Sequence, residues 1–312
     1  MRIIRDPYFI DPADTGAVAA IGNFDGVHLG HRAVIDLTRR IARDRGAPLG
    51  VLTFEPHPRQ YFRPDGDAFR LMNAAARAHR LEKLHVEKLL ELPFNSALAG
   101  LSAQEFASQI LVGQLDLRHV VVGEDFQFGK NRTGHAADLV RFGADLGFGV
   151  TVAPMVTLPG GEVSSTAIRT ALTDGNPRDA AAMLGHWHRI EGPVIRGQQR
   201  GRDLGYPTAN MSIAGLHPPR FGVYAVKVDV LDGPHQGHYN GAASIGVRPM
   251  FGVNQPNCET YLLDFRGDLY GSILSVALVD YLRPELTFDG LPALITQMDA
   301  DCATARDILS DV

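Results

Sequence analysis

The sequence predicts an α/β domain built on a parallel sheet, followed by a small antiparallel β-barrel with a C-terminal helix. Three observations carry that expectation. A chain of 312 residues is longer than one hydrophobic core ordinarily organises. Up to about Gly185, short apolar runs alternate with segments of helical period; from His186 onward, apolar residues alternate singly with polar ones. Helical spacing returns only in the last stretch of the chain.

Residues 18–21, Val-Ala-Ala-Ile, read as a buried strand that ends in a glycine-containing loop. Residues 31–43 read as a helix with Val34, Leu37 and Ile41 on one face. Further strands are expected at 49–54, 86–90, 119–122 and 150–153, with helices near 74–84, 103–111 and 136–146 between them. Repeated strand–helix–strand units imply right-handed crossovers and a parallel sheet covered on both faces. Ligands of such sheets bind beyond the C-terminal ends of the strands, where the loop after residue 21 lies.

In the second part Val226, Val228 and Val230 alternate with Lys227 and Asp229, as in a strand with one buried face. Similar strands are expected around 241–245, 259–265 and 273–281, separated by turns such as Asp232-Gly233-Pro234. Leu291, Leu294, Met298, Cys302, Ala305 and Leu309 then follow spacings of three and four, so a helix closes the barrel. The domain boundary is placed near 184–188, giving parts 1–185 and 186–312.

Composition narrows the function classes. Hydrophobic residues at 45% and charged residues at 21% make an ordinary globular mixture. A net charge of -5 argues against a broad nucleic-acid surface. Cys258 and Cys302 have no metal or redox spacing and read as free thiols of a reducing compartment. The first residues lack the apolar run of a signal peptide, and no stretch approaches a membrane span. A soluble cytoplasmic protein without membrane or nucleic-acid partners is expected.

His28 and His31 stand three apart where a loop turns into a helix, with Gly30 between them. Glycine lets the backbone press close to a ligand, and the helix N-terminus offers N–H groups and partial positive charge to phosphate. Two imidazoles there suit charge stabilisation in nucleotidyl transfer. Spacing alone also permits surface or capping histidines, and a zinc site lacks a third clustered ligand. Farther on, Ser164 and Thr166 sit where a helix begins, able to cap it or to reach phosphate oxygens, and Arg169 follows one turn later with a planar fork.

The run Gly22-Asn23-Phe24-Asp25-Gly26-Val27-His28-Leu29-Gly30-His31 resembles the signature of nucleotidyltransferases related to class I aminoacyl-tRNA synthetases. With Phe-Asp-Gly before His-x-Gly-His, it looks like the bacterial bifunctional riboflavin kinase/FAD synthetase family. Val122-Gly123-Glu124-Asp125-Phe126-Gln127-Phe128-Gly129 and Val163-Ser164-Ser165-Thr166-Ala167-Ile168-Arg169 agree with that family. The resemblance implies a Rossmann-like nucleotidyltransferase domain in which Gly22, Phe24, Asp25, Gly30 and Asp125 belong to the nucleotide site. It also implies that Ser164, Thr166 and Arg169 grip the triphosphate opposite His28 and His31. Phe54-Glu55-Pro56-His57-Pro58 matches a further family segment, and Tyr61 and Phe62 follow where a flavin ring could stack or where aromatic residues simply pack.

In the second part, Gly197, Gly201 and Gly205 punctuate a loop that could cover phosphates, with Arg202 adding charge. No Gly-Lys-Ser/Thr closes it, so it is not a Walker loop. Thr208 and Asn210 put two oxygens on one side of an extended segment, a donor pair suited to Mg²⁺ and substrate phosphates, or an ordinary turn before a strand. Gly201-Arg202-Asp203-Leu204-Gly205-Tyr206-Pro207-Thr208-Ala209-Asn210 resembles riboflavin kinase, as does Phe221-Gly222-Val223-Tyr224-Ala225-Val226. The run from Gly241 to Phe251 is similar too, with Ala242, Ser244 and Met250 as departures.

Glu259 matches the family's general base, placed by the sequence pattern at the start of a strand; Asp264 is the alternative carboxylate, expected on the other face. The resemblance spans residues 22–306 and implies two ATP- and Mg²⁺-driven steps, riboflavin to FMN and FMN to FAD. A chain retaining one activity, or a non-catalytic flavin-binding regulator, is the rival reading.

Overall fold

The structure is a computed structural model that describes residues 1–6, 11–159, 161–197, 205–250 and 253–312. These residues form two compact units, 1–66 with 77–163, and 67–76 with 164–312.

The first unit is organised by six parallel strands: β1 (Arg2–Ile4), β2 (Val18–Ile21), β3 (Leu49–Glu55), β4 (Lys88–Pro93), β5 (His119–Gly123) and, after two short pairing strands β6 (Gln127–Phe128) and β7 (Gly134–His135), β8 (Gly149–Ala153). Their order is β1-β4-β3-β2-β5-β8, every pairing parallel. All four residues of β2 are buried, as a strand covered on both faces requires. Successive strands run outward from β2 to β4, and the chain then returns to place β5 on the other side of β2. The sheet therefore has a switch point between β2 and β5, and a crevice opens there beyond their C-terminal ends.

Helix α1 (Leu29–Asp44) packs on β2, β3 and β5, but its fully buried residues are Ile35, Thr38 and Ala42. Val34, Leu37 and Ile41 are only half-buried, so the expected stripe is off by one position. Residues one apart differ by about 100° around a helix, and small Thr38 and Ala42 allow the closer approach. The remaining helices are α2 (Pro58–Phe62), α3 (Ala74–Lys83), α4 (Ser96–Gly100), α5 (Ala103–Glu105) and α6 (Ala136–Leu146). The helix expected over 103–111 is a single α-turn continued by a π-helix, Phe106–Gln114, whose Phe106, Ala107, Ile110 and Leu111 enter the core. Strand β1 was too short and too charged at its flanks to be read from periodicity. Strands β9 (Thr157–Leu158) and β10 (Gly161–Glu162) pair antiparallel after β8.

The second unit begins with helices α7 (Ser165–Thr173) and α8 (Pro177–Leu184), which share a small core with Leu71 through Ile168, Leu172, Ala180 and Leu184. Six antiparallel strands follow: β11 (His188–Pro193), β12 (Ala209–Ser212), β13 (Gly222–Val230), β14 (Gly237–Met250), β15 (Val253–Leu262) and β16 (Ile273–Arg283). They are ordered β11-β16-β13-β14-β15-β12. The Ile195 amide, just past β11, donates to the Asn210 carbonyl at 2.9 Å and joins the two edges into a nearly closed barrel.

Alternation sorts the wall. Val226, Val228, Val230, Ile245, Cys258 and Leu274 face the barrel interior. Ala225, Ala242 and Val279 face outward against Cys302, Ala305 and Leu309 of α9 (Leu291–Ser310). The helix is clipped to the wall by Arg283, whose Nη2 lies 2.6 Å from Asp301 Oδ2 and whose Nε lies 2.8 Å from Oδ1. One expectation needs correcting: Glu259 does not begin a strand, because β15 starts at Val253 and Glu259 lies near its end. Asp264 lies beyond β15 at φ 57° and accepts from Arg306 at 2.6 Å, so strand alternation does not place it on either face.

Candidate active sites

The loop between β2 and α1 fills one side of the switch-point crevice. Phe24, Gly26 and Val27 have φ of 50°, 87° and 43°. Left-handed backbone is costly for Phe and more so for β-branched Val, on the order of 1–3 kcal/mol each. Phe24 and Val27 are both fully buried, and that burial holds the conformation. Asp25 is buried beside them.

His28 is the N-cap of α1, and its Nδ1 accepts the His31 amide at 3.3 Å. With Nδ1 an acceptor, the neutral ring carries its proton on Nε2, which is then a donor. The two imidazoles stack, centroids 3.7 Å apart and tilted 20°, and Phe24 packs on His31 at 5.0 Å. Burial, and secondarily the neighbouring His28, lower the His31 pKa well below its ordinary value. His31 is therefore neutral at pH 7, and its buried Nδ1 meets no hydrogen-bond partner among the described residues. Gly30 is required by this stack, since a Cβ there would lie 3.0 Å from His28 Cε1.

A buried arginine stands behind the loop, a feature the sequence pattern did not reveal. Arg77 is 1% exposed; its Nη1 reaches the Asn23 carbonyl at 3.4 Å and its Nη2 reaches Glu55 Oε2 and Glu91 Oε2, each at 2.9 Å. Thr53 Oγ1 donates to the same Asn23 carbonyl at 3.2 Å, and Arg5 Nε binds Glu91 Oε1 at 2.8 Å. The signature loop, the end of β3 and β4 are thus tied through one guanidinium. No spacing rule finds such a residue; its nearest sequence signal is an arginine on a helix face with acidic residues at two strand ends.

Asp125 is exposed in the loop after β5, on the other side of the switch point. At the end of β3, Tyr61, Phe62 and Phe94 meet edge to face with centroids 5.2–5.8 Å apart, and Phe62 remains 64% exposed. Gly22 is anchored by its amide to the Leu52 carbonyl at 3.1 Å.

Ser164, Thr166 and Arg169 fall in the second compact unit. Ser164 is the N-cap of α7, accepting the Ala167 amide at 3.2 Å, and Thr166 is exposed in its first turn. Arg169 donates from Nε to the Phe69 carbonyl at 2.6 Å and lies over the Phe69 ring, which fixes the direction of its fork.

In the barrel, register does what the loop does in the first unit. Asn210 on β12 pairs with Glu259 on β15, and Glu259 pairs with Ser244 on β14, so the three stand side by side on the outer face. Asn210 Nδ2 donates to the Thr208 carbonyl at 3.2 Å and to Thr208 Oγ1 at 3.4 Å, so the two side chains do lie together. Asn257 Nδ2 donates to Glu259 Oε1 at 3.1 Å. Gly197 passes directly over Asn210; a Cβ there would be 2.8 Å from Asn210 Cγ. A cavity of about 280 Å³ adjoins, lined by Thr208, Asn210, Gly197, Phe265 and Tyr270 among others. Gly201 and Arg202 lie outside the described residues.

Tyr206, four residues before Asn210, donates its hydroxyl to Asp299 of α9 and packs on Tyr261 at 5.1 Å. The Asp299 bond, with some burial, pushes the phenol pKa up to about 12. The donor chemistry fits a divalent cation: the hydroxyl of Thr208 and the amide oxygen of Asn210 are hard neutral ligands that leave positions for water and phosphate.

The family model for FAD synthetase matches residues 10–167, and that for riboflavin kinase matches 184–309. The chain is 42% identical over 307 residues to a bifunctional riboflavin kinase/FMN adenylyltransferase of Pseudomonas fluorescens, covering 98% of this chain and 97% of the relative. This chain belongs to that family. The protein of the same description from Escherichia coli K12 is 37% identical over 308 residues, again covering 98% and 97%. Flavin-cofactor synthesis by a riboflavin kinase and a FAD synthetase, two ATP-using transfers that generally need a divalent metal, is accordingly the family's chemistry and this enzyme's.

A solved structure described as a macrolide-efflux protein from Streptococcus pneumoniae has a TM-score of 0.83 at 31% identity, covering 97% of this chain and 98% of that one. Among the described residues of this family member, no helix is long and apolar enough to cross a membrane.

Proposed function

We propose that residues 186–312 phosphorylate riboflavin to FMN and that residues 1–185 adenylylate FMN to FAD, in the cytoplasm, with Mg²⁺ as the metal. The observation that carries the reading is the coexistence of a His pair at a sheet switch point with a carboxylate set beside Thr208 and Asn210 on a barrel wall. Two buried free cysteines agree with a reducing compartment.

In the barrel, Glu259 takes the proton of the ribityl 5′-hydroxyl as the oxygen attacks the γ-phosphorus of ATP, and ADP leaves. Mg²⁺ held by Thr208 and Asn210 supplies neutralisation of phosphate charge. Gly197 lines the phosphate side, Tyr206 fixes the segment to α9, and for Gly201 and Arg202 a phosphate role rests on the sequence motif alone.

In the α/β part, an FMN phosphate oxygen attacks the α-phosphorus of ATP and pyrophosphate leaves. His28, through Nε2–H, and neutral His31 donate to the phosphates, with no covalent intermediate. The strained loop holds Gly22, Phe24, Asp25 and Gly30 to shape the nucleotide site, and Asp125 faces it from the loop after β5. Ser164, Thr166 and Arg169 supply hydroxyl and guanidinium contacts to the triphosphate, and exposed Phe62 stacks on the isoalloxazine.

Incubation with riboflavin, ATP and Mg²⁺ followed by separation of the flavins tests this directly. FMN forms first and FAD follows; a riboflavin pool unchanged after prolonged reaction overturns the reading.

A further inference from the structure

Asn257 is 1% exposed, and its carbonyl oxygen has no hydrogen-bond partner among the described residues. Its amide nitrogen is committed to Glu259 Oε1 at 3.1 Å. The carboxylate decides the orientation of the amide, because the reversed group would set oxygen against oxygen. A buried carbonyl without a donor costs about 1–3 kcal/mol, so this oxygen calls for a donor that the described residues do not supply.

The surroundings say what kind of group. Across the strands Asn257 pairs with Ser212 and with Gly246. Gly246 has no side chain, and a Cβ on it would lie 2.9 Å from Glu285 Cδ, so the Glu285 carboxylate occupies that space. Glu259 flanks Asn257 along the strand. Acceptor oxygens therefore dominate around the unpaired carbonyl, and the missing partner is a donor. A polyol chain bears donors at successive carbons. Its terminal hydroxyl can meet Glu259 while a neighbouring hydroxyl meets Asn257.

We propose that Asn257 is a positioning residue of the phosphoryl-transfer site: its amide nitrogen holds the Glu259 carboxylate, and its carbonyl oxygen receives a ribityl hydroxyl of riboflavin. The proposal rests on Glu259 being the base. One side chain then couples the orientation of the base to the placement of the acceptor, which is where a small misplacement is costly.

Three variants separate the parts, with FMN formation followed against riboflavin and against ATP, and FAD formation from supplied FMN as the control on the same chain. Asn257→Leu removes both contacts: kcat falls roughly 10- to 100-fold, KM for riboflavin rises and KM for ATP does not. Asn257→Asp keeps an acceptor oxygen but loses the donor: kcat falls while KM for riboflavin rises less than in Asn257→Leu. If Asn257→Leu fails to fold, the isosteric Asp variant carries the test through its kcat loss and its KM. Wild-type kcat and KM in the folded variants, with Glu259→Gln inactive, overturns the role of Asn257. A fully active Glu259→Gln overturns the base assignment itself.

Discussion

The two halves build their sites in opposite ways. In the first unit the chemistry is contiguous: Phe24, Asp25, His28 and His31 lie within eight residues, and a loop with three left-handed positions sets their geometry. In the barrel, Asn210, Ser244 and Glu259 are far apart in sequence and meet because antiparallel register puts them on neighbouring strands. A loop-built site depends on what anchors the loop, and a register-built site depends on what fixes the strands and their covering helix. The first should therefore fail through Arg77, the second through the base and the helix contacts.

The largest effect is expected at the base. Glu259→Gln should lower FMN formation by about 10²- to 10⁴-fold while FAD formation from supplied FMN is unchanged; parity in FMN formation would break the comparison at its barrel end. Next comes the anchor of the loop. Arg77→Met should slow FAD formation from FMN by roughly 10- to 100-fold through displacement of Asn23, leave FMN formation intact, and cost about 1–3 kcal/mol, because buried Glu91 loses one of its two arginine partners while Arg5 still holds Oε1. Arg77→Lys should recover part of the rate, and an unchanged rate in the Met variant would show that the loop holds itself.

A smaller effect concerns stability of the barrel. His188 is 3% exposed, and burial, aided by His186 and His217, pushes its pKa down to about 3. The folded ring stays neutral, so below the ordinary value of about 6.5 the unfolded chain binds more protons and stability falls as pH drops toward 3. At pH 5 the loss is on the order of 2 kcal/mol, and calorimetry should find it much reduced in His188→Leu. The smallest effect is that of Tyr206→Phe, which removes the Asp299 contact and should lower FMN formation roughly two- to tenfold, as loss of one hydrogen bond implies.

How much was legible follows the same division. Periodicity located β2, β3, β5, β8 and α6 nearly to the residue: β2, β3 and β5 are buried parallel strands and so continuous apolar runs, β8 shows through Val150 and Val152, and α6 through its helical spacing. It missed β1, β11 and β12, which are short or mixed in polarity, and misplaced the start of β15, whose early residues Asn254, Gln255 and Pro256 hide the alternation. The His28–His31 pair was visible because helix spacing is a local rule. Asn257 and Arg77 were not, since their roles arise from a register and from a buried ion-pair network that no local pattern encodes.

The central claim is that the two sites work independently on one chain. It is tested most directly by the double variant His28→Ala/His31→Ala incubated with riboflavin, ATP and Mg²⁺, with the flavins separated over time. FMN should accumulate at the wild-type rate with no FAD. Loss of FMN formation together with FAD in the folded variant, or continued FAD synthesis, would contradict it.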